Sequence, residues 1–287
     1  MGNTKAELFT RDVLWCRGPD SATFLQGQLT QDVAGLKVGG FAWSLLLQPQ
    51  GKVVALMGVA RISETEFLLD TASGFGEPAA NRLSRFKLRT DCELELVPLG
   101  ICVRREVADT ENHQSMLDLL AEDLVGLAPL SVRETGWPGA QVIEAVCAPD
   151  TSLLDGVRAP SAALERVRIL AGVPECGSEL TEDTIPAEAG AWLIAATVSF
   201  TKGCYVGQEL VARVDSRGSN TPRKLRRVTA ADDVELVVGA PLTDAEGAIV
   251  GAITSAASAV GLAFISRRVE VPAVLNCSGS PIQADPL

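Results

Sequence analysis

Two apolar stretches of strand length, residues 41–47 and 52–62, flank the tetrapeptide Gln48-Pro49-Gln50-Gly51. Pro at its second position and Gly at its fourth suit a type I turn, so the two stretches are expected to pair as an antiparallel hairpin. Further strands are expected at 66–71, 93–97, 101–107 and 141–146. Between them, residues 81–88 and 115–125 carry apolar side chains at helical spacing, the second run ending at Gly126. Near the start, Asp20 reads as the N-cap of a short helix that Gly27 terminates. Residues 161–171 form another helix, with Pro160 before the Ser161 cap and Gly172 and Pro174 after it. Beyond about residue 222 the chain changes to short β-like pieces at 234–238, 248–254 and 259–265, with turn residues Asp244-Ala245-Glu246-Gly247 among them. The expected class is α+β: a mixed region over 1–221 and a β-barrel domain over 222–287.

Composition removes several functions. A chain of 287 residues, 47% hydrophobic, can bury a large core and suits about two domains. Its net charge of −11 argues against coating a nucleic-acid backbone. The single His, His113, excludes His-rich zinc sites and reads as an exposed residue in a helical first turn. Seven cysteines, odd in number and without a CxxC pair, suit reduced and mostly buried thiols better than a disulfide framework. Cys16, Cys92, Cys102, Cys147, Cys176 and Cys277 are read as small buried hydrophobes, and Trp15, Trp43, Trp137 and Trp192 as core. The first residues lack an apolar signal region and no apolar run is long enough to span a bilayer. The expectation is a cytoplasmic protein with no membrane and no direct nucleic-acid partner.

Reactive and scarce residue types converge in 199–218. Lys202 lies two residues before Cys204, where a cation can raise the thiolate fraction. Gly203 and Gly207 permit close backbone approach. Tyr205, the only Tyr in the chain, adds a flat face and a hydroxyl. From Gly207, the run Gln208–Arg213 reads as a helix start, with Glu209 near its positive end and Arg213 one turn on. Residues 201–228 hold seven basic and two acidic side chains, a local +5 that leaves −16 for the rest. Such a patch suits a compact anion. The bland reading stands beside it: a lone Cys is commonly a buried hydrophobe, and the basic run after Arg217 a solvated linker. A second basic run, Arg82, Arg85, Lys87 and Arg89, reads as a solvated face before a nucleic-acid site, with the lining of the same ligand channel as the alternative.

Lys202-Gly203-Cys204-Tyr205-Val206-Gly207-Gln208-Glu209 resembles the K-G-C-Y-x-G-Q-E signature of the YgfZ family, folate-binding relatives of the glycine-cleavage T protein. Residues 24–33, Phe-Leu-Gln-Gly-Gln-Leu-Thr-Gln-Asp-Val, resemble that family's N-terminal segment, with Gln31 where Asn is usual. Residues 168–174, residues 185–190 and residues 251–255 resemble further landmarks, in order along the chain. The resemblance implies GcvT/YgfZ-like folate-binding subdomains in a ring-like arrangement with a C-terminal β-barrel, and tetrahydrofolate as cofactor. It also implies a role in assembling or repairing iron–sulfur clusters in client proteins, some tRNA-modifying enzymes included. On these motifs Cys204 becomes the expected reactive centre. Lys202, Gly203, Tyr205, Gly207, Gln208, Glu209, Arg213, Asp32 and Glu188 become the expected cofactor-binding residues, with no metal site.

Two departures bear on whether the chain is an enzyme. The aminomethyltransferase branch has an Asp pair near the first hairpin, where this chain reads Gln50-Gly51-Lys52-Val53. It also has a pterin-holding Glu where Leu170 stands here, and Leu accepts no hydrogen bond. Both argue against glycine-cleavage chemistry. A folate-dependent one-carbon transferase and a non-catalytic folate-binding scaffold remain as alternatives.

Overall fold

The computed structural model describes residues 6–106, 124, 127–148, 160–218, 220–231 and 234–287. The helix expected at 115–125 with its stop at Gly126, and His113, lie outside the described residues. The first half builds a seven-stranded antiparallel sheet. Its strands are β1 (Glu7–Arg17), β2 (Phe41–Leu47), β3 (Val53–Arg61), β4 (Glu66–Ala72), β5 (Glu93–Glu106), β6 (Pro129–Glu134) and β7 (Val142–Cys147), in the order β2-β3-β4-β1-β5-β7-β6. The expected hairpin is present: the Gly51 N–H donates to the Gln48 carbonyl at 2.8 Å, with Gly51 at φ +83°.

The central strand β1 and the strand β6 were not expected. β1 carries Arg11 and Asp12 in its middle, which breaks an apolar pattern, yet both are buried. Arg11 Nε lies 2.7 Å from Asp70, and Asp12 Oδ2 accepts the Gly74 and Gly76 N–H groups at 2.9 and 2.8 Å. Fold partners distant in sequence supply the counter-charge of Arg11 and the donors to Asp12 that local composition lacks. The two strands expected at 93–97 and 101–107 are one strand. Gly100 carries it past β1, where a Cβ would come within 2.5 Å of Val13.

Five helices flank the sheet among the described residues: α1 (Ser21–Gln28), α2 (Gly76–Ser84), α3 (Ala162–Leu170), α4 (Ala191–Thr197) and α5 (Gln208–Ser216). Three local expectations are corrected. Asp20 precedes α1 without capping it, because its carboxylate accepts the Asp91 N–H at 2.8 Å. Gly27 lies inside α1, which ends one residue later. The helix expected at 81–88 starts earlier, at Gly76, and its Arg82 belongs to no solvated face. Arg82 is 5% exposed and donates to the Leu47 carbonyl and to Gln28 Oε1. The helix at 161–171 is as expected, with the Ser161 hydroxyl accepting the Leu164 N–H at 3.3 Å.

From Arg223 on, six strands close into a barrel: β8 (Arg223–Thr229), β9 (Pro241–Thr243), β10 (Ile249–Ala257), β11 (Val260–Ser266), β12 (Ala273–Cys277) and β13 (Ser280–Asp285), ordered β10-β11-β8-β13-β12-β9. The basic run at 223–227 is therefore a strand and not a linker. Leu225 and Val228 are its buried members, while Arg223 and Arg227 find Glu188 and the Leu170 carbonyl. The strand expected at 234–238 is absent; that segment is a loop tied to the barrel by the bond from Leu236 N–H to the Ser258 carbonyl, with turn bonds from Val234 N–H to the Ala231 carbonyl and from Ala240 N–H to the Val237 carbonyl. Barrel and sheet meet through α3, where Ile169 packs with Leu225, Leu262 and Phe264. Beside them buried Glu179 accepts from Arg168 (3.1 Å), Thr254 (2.6 Å) and Ser255 (2.6 Å).

Candidate functional site

The segment 199–207 lies along the C-terminal end of α1. A helix end leaves its last carbonyls without intrahelical donors, and an ammonium with three protons is suited to them. Lys202 does this: Nζ donates to the carbonyls of Gln26, Leu29 and Gln31 at 2.7, 2.7 and 2.9 Å. The Ser199 N–H donates to the Thr30 carbonyl at 3.0 Å, and the Val206 N–H to the Gly27 carbonyl at 3.1 Å. Thr30 Oγ1 donates back to the Thr197 carbonyl at 2.6 Å. The two most informative segments of the sequence, 24–33 and 202–209, are thus one clamp. Burial pulls the Lys202 ammonium down to about 8, with Asp32 opposing.

Other expected site residues divide into structural and free groups. Gly207 N-caps α5 at φ +89°, and Gln208 Oε1 accepts the Tyr205 N–H at 3.1 Å. Tyr205 is half-buried against the sheet core; burial pushes its phenol up to about 12, and Lys202 Nζ stands 5.2 Å from its ring. Asp32 closes a turn, accepting from Gln26 Nε2 at 2.9 Å and Gly35 N–H at 3.2 Å. Glu188 is buried and holds Arg223 at 3.1 Å, linking the 3-10 turn Pro186–Glu188 to the barrel. Gly203, Cys204, Glu209 and Arg213 are exposed, and no ion pair joins Glu209 to Arg213 among the described residues. Of the seven cysteines Cys204 alone is exposed. Its neighbour Lys202 is turned to carbonyls instead of the thiol.

Sequence reasoning missed a second feature. Trp43, Trp137 and Trp192 converge with Arg11, Arg104 and Arg168 around a narrow cleft, to which Glu175 brings the one carboxylate. Its wall is an ion-pair network. Arg133 bonds both Asp70 and Glu144, and Arg104 Nε donates to Glu144 at 2.6 Å. Burial works against both partners, yet Asp70 and Glu144 raise Arg133. Arg104, Arg133 and Arg11 in turn hold Glu144 well below the usual carboxylate range. Arg104 stacks over Trp137 at 4.6 Å and Arg133 over Trp43 at 4.7 Å. Trp43 and Trp192 donate to the Thr135 and Gly136 carbonyls, whereas the buried Trp137 Nε1 has no acceptor among the described residues. The scarcity of Trp was the available signal, but six separate stretches of the chain supply these side chains. Among the described residues no group of three or more His, Cys, Asp or Glu is placed to hold a metal, and no helix is long and apolar enough to cross a membrane.

No protein-family model matches the chain. The iron–sulfur cluster assembly factor IBA57 of Homo sapiens is 28% identical over 287 residues, spanning 93% of this chain and 79% of that one. The IBA57 homolog of Pyricularia oryzae is 29% identical over 215 residues, 74% of this chain and 54% of its own. The glycine cleavage aminomethyltransferase T of Bartonella henselae superposes with a TM-score of 0.79 over 99% of this chain and 86% of that one, at 19% identity. In sequence the chain is similar to IBA57-type iron–sulfur cluster assembly factors, and its fold is that of the aminomethyltransferase T structure. It spans 66%, 50% and 54% of the first curated relatives it matches.

Within this GcvT/YgfZ-like fold the two departures have physical form. Lys52, in the stretch comparable to the Asp pair, reaches out to the exposed Asp183 at 2.7 Å. Leu170 is 40% exposed at the end of α3, and its carbonyl is taken by Arg227. Neither position presents a carboxylate.

Proposed function

We propose that this protein is a tetrahydrofolate-binding accessory factor for assembly or repair of iron–sulfur clusters in client enzymes, tRNA-modifying enzymes included. It acts in the reducing cytoplasm, with Cys204 as its reacting group. The observation that carries the reading is the contrast between Cys204, exposed on a loop pinned at both ends, and six buried thiols. Burial raises the thiols of Cys16, Cys92 and Cys102 and takes Cys147 and Cys176 to about 11, so these are poor nucleophiles at neutral pH. The iron–sulfur names of the IBA57 relatives support the same reading.

The donor chemistry of the Trp–Arg cleft fits a folate. Indole faces suit a flat heterocycle, the unpartnered Trp137 Nε1 and the guanidinium groups suit carbonyl and carboxylate acceptors, and Glu175 suits an N–H edge. The cleft has room for about 30 Å³, roughly one water, so a pterin enters only if the side chains lining it move apart. Trp43, Trp137 and Trp192 would hold the ring, and Arg11, Arg104 and Arg168 its polar edge. A folate supplies one-carbon and reducing chemistry when bound.

The test is complementation in cells lacking the protein, reading the activity of a cluster-dependent enzyme. Wild type restores it and Cys204→Ala does not; full rescue by Cys204→Ala overturns the role of the thiol. Equilibrium titration with tetrahydrofolate, read by Trp fluorescence, tests the cofactor. Saturable binding that weakens in Trp137→Phe is expected, and no saturation at near-millimolar ligand removes folate from the reading.

A further inference from the structure

A larger cleft lies on a different face of α4 from Trp192, between that helix and barrel strand β8. It holds about 350 Å³, inside the range of small-ligand sites, against the single-water space of the Trp–Arg cleft. Its apolar surface comes from Ile194, Ala195, Leu225 and Leu287, and its charge from Lys224 and Arg226.

Three observations make these two cations unusual. Arg226 is half-buried and burial alone works against its charge. Among the described residues no carboxylate lies within ion-pair distance of Lys224 or Arg226. Glu188, the one acidic side chain lining the cleft, already holds Arg223 at 3.1 Å and accepts the Ile185 N–H at 3.4 Å. The strand beneath is also half-paired: β13 bonds β8 only at Arg227–Thr229, so residues 223–226 have a strand partner on the β11 side alone. In a chain of net charge −11, two uncompensated cations over an apolar floor are a local reversal of both charge and polarity.

We propose that this cleft binds an amphipathic small-molecule anion, its carboxylate or phosphate head between Lys224 and Arg226 and its short apolar body over Ile194, Leu225 and Leu287. A charge-assisted contact to a half-buried guanidinium is stronger than one in open water. The apolar body adds burial that a bare ion lacks. Because α4 packs on the sheet and β8 belongs to the barrel, such a ligand joins the two parts of the molecule. The proposal is independent of the folate reading.

The experiment uses the full chain and anilinonaphthalene sulfonate as a fluorescent amphipathic anion. Saturable one-to-one binding is expected, weakened about tenfold or more in Lys224→Ala/Arg226→Ala, a loss of about 1.4 kcal/mol or more. Ala195→Trp, which fills the cleft from an exposed helix position, abolishes it; thermal melts of both variants show that they fold. Octanoate and hexyl phosphate then compete for the probe, and the better competitor identifies the head group. Absence of saturable binding, an unchanged Kd in either variant, failure of both competitors, or equal displacement by inorganic phosphate overturns the proposal.

Discussion

Gly51 and Gly207 face each other across the contact between the first hairpin and α5. A Cβ on Gly207 would lie 2.6 Å from the Gln48 carbonyl oxygen and 3.3 Å from Gly51 Cα. A Cβ on Gly51 would lie 2.5 Å from Leu210 Cβ and 2.9 Å from the Gly207 carbonyl oxygen. Both residues have positive φ, +83° and +89°, so strain adds to the collision. Gly51→Ala or Gly207→Ala is expected to cost more than about 1 kcal/mol in urea unfolding. Gly203 has ordinary φ and nothing within 4 Å of its Cβ position, so Gly203→Ala should leave the midpoint nearly unchanged. An equal loss at Gly203 would refute the steric account of this contact.

Lys202 behaves as a clamp for the loop that carries Cys204. Lys202→Met keeps the aliphatic stem and removes three donors, leaving the Gln26, Leu29 and Gln31 carbonyls to solvent or to one another. A loss of about 1–3 kcal/mol is expected for bonds to a charged donor. The same variant should alter the rate at which Cys204 reacts with a thiol reagent, since its loop loses its anchor to α1. Unchanged stability together with an unchanged labelling rate would leave Lys202 free to serve a ligand instead.

The network around Glu144 sets an acid limit. Its carboxyl is held well below the ordinary 4.5 by Arg104, Arg133 and Arg11, against burial. A depressed carboxylate contributes stability that is fully present above its unfolded value and is lost as pH falls through its folded one. Wild type should therefore lose stability as pH drops below about 4.5. Glu144→Gln leaves Arg104 without its carboxylate and Arg133 with Asp70 alone. It should cost about 3–5 kcal/mol at neutral pH and flatten the stability profile below pH about 4.5. A variant profile parallel to that of wild type would assign the acid loss to other carboxylates.

The hairpin, the Ser161-capped helix and the loop-to-helix step at Gly207 were legible because each depends on residues a few positions apart. β1 was not, since Arg11 and Asp12 look like surface residues until Asp70 and the Gly74 and Gly76 amides are brought to them. Arg82 misled for the same reason: its acceptors, Leu47 O and Gln28 Oε1, lie 35 and 54 positions away. At the candidate site, both motifs were visible singly. What the sequence withheld was their contact, which turns Lys202 toward α1, and the Trp–Arg cleft, whose parts meet only through the sheet.

Exposure separates the thiols sharply enough to be counted. Cys204 is exposed, while Cys16, Cys92, Cys102, Cys147, Cys176 and Cys277 are all buried. Aromatic disulfide reagents attack the thiolate and need access to it, so a buried thiol waits for local or global opening. Titration of the native protein at neutral pH should release one equivalent of chromophore quickly. The remaining six should follow only on addition of denaturant, and Cys204→Ala should abolish the fast phase without changing the slow one. Two or more fast equivalents in the wild type, or a fast phase that survives in Cys204→Ala, would place a second reactive thiol at the surface and remove the basis for singling out Cys204.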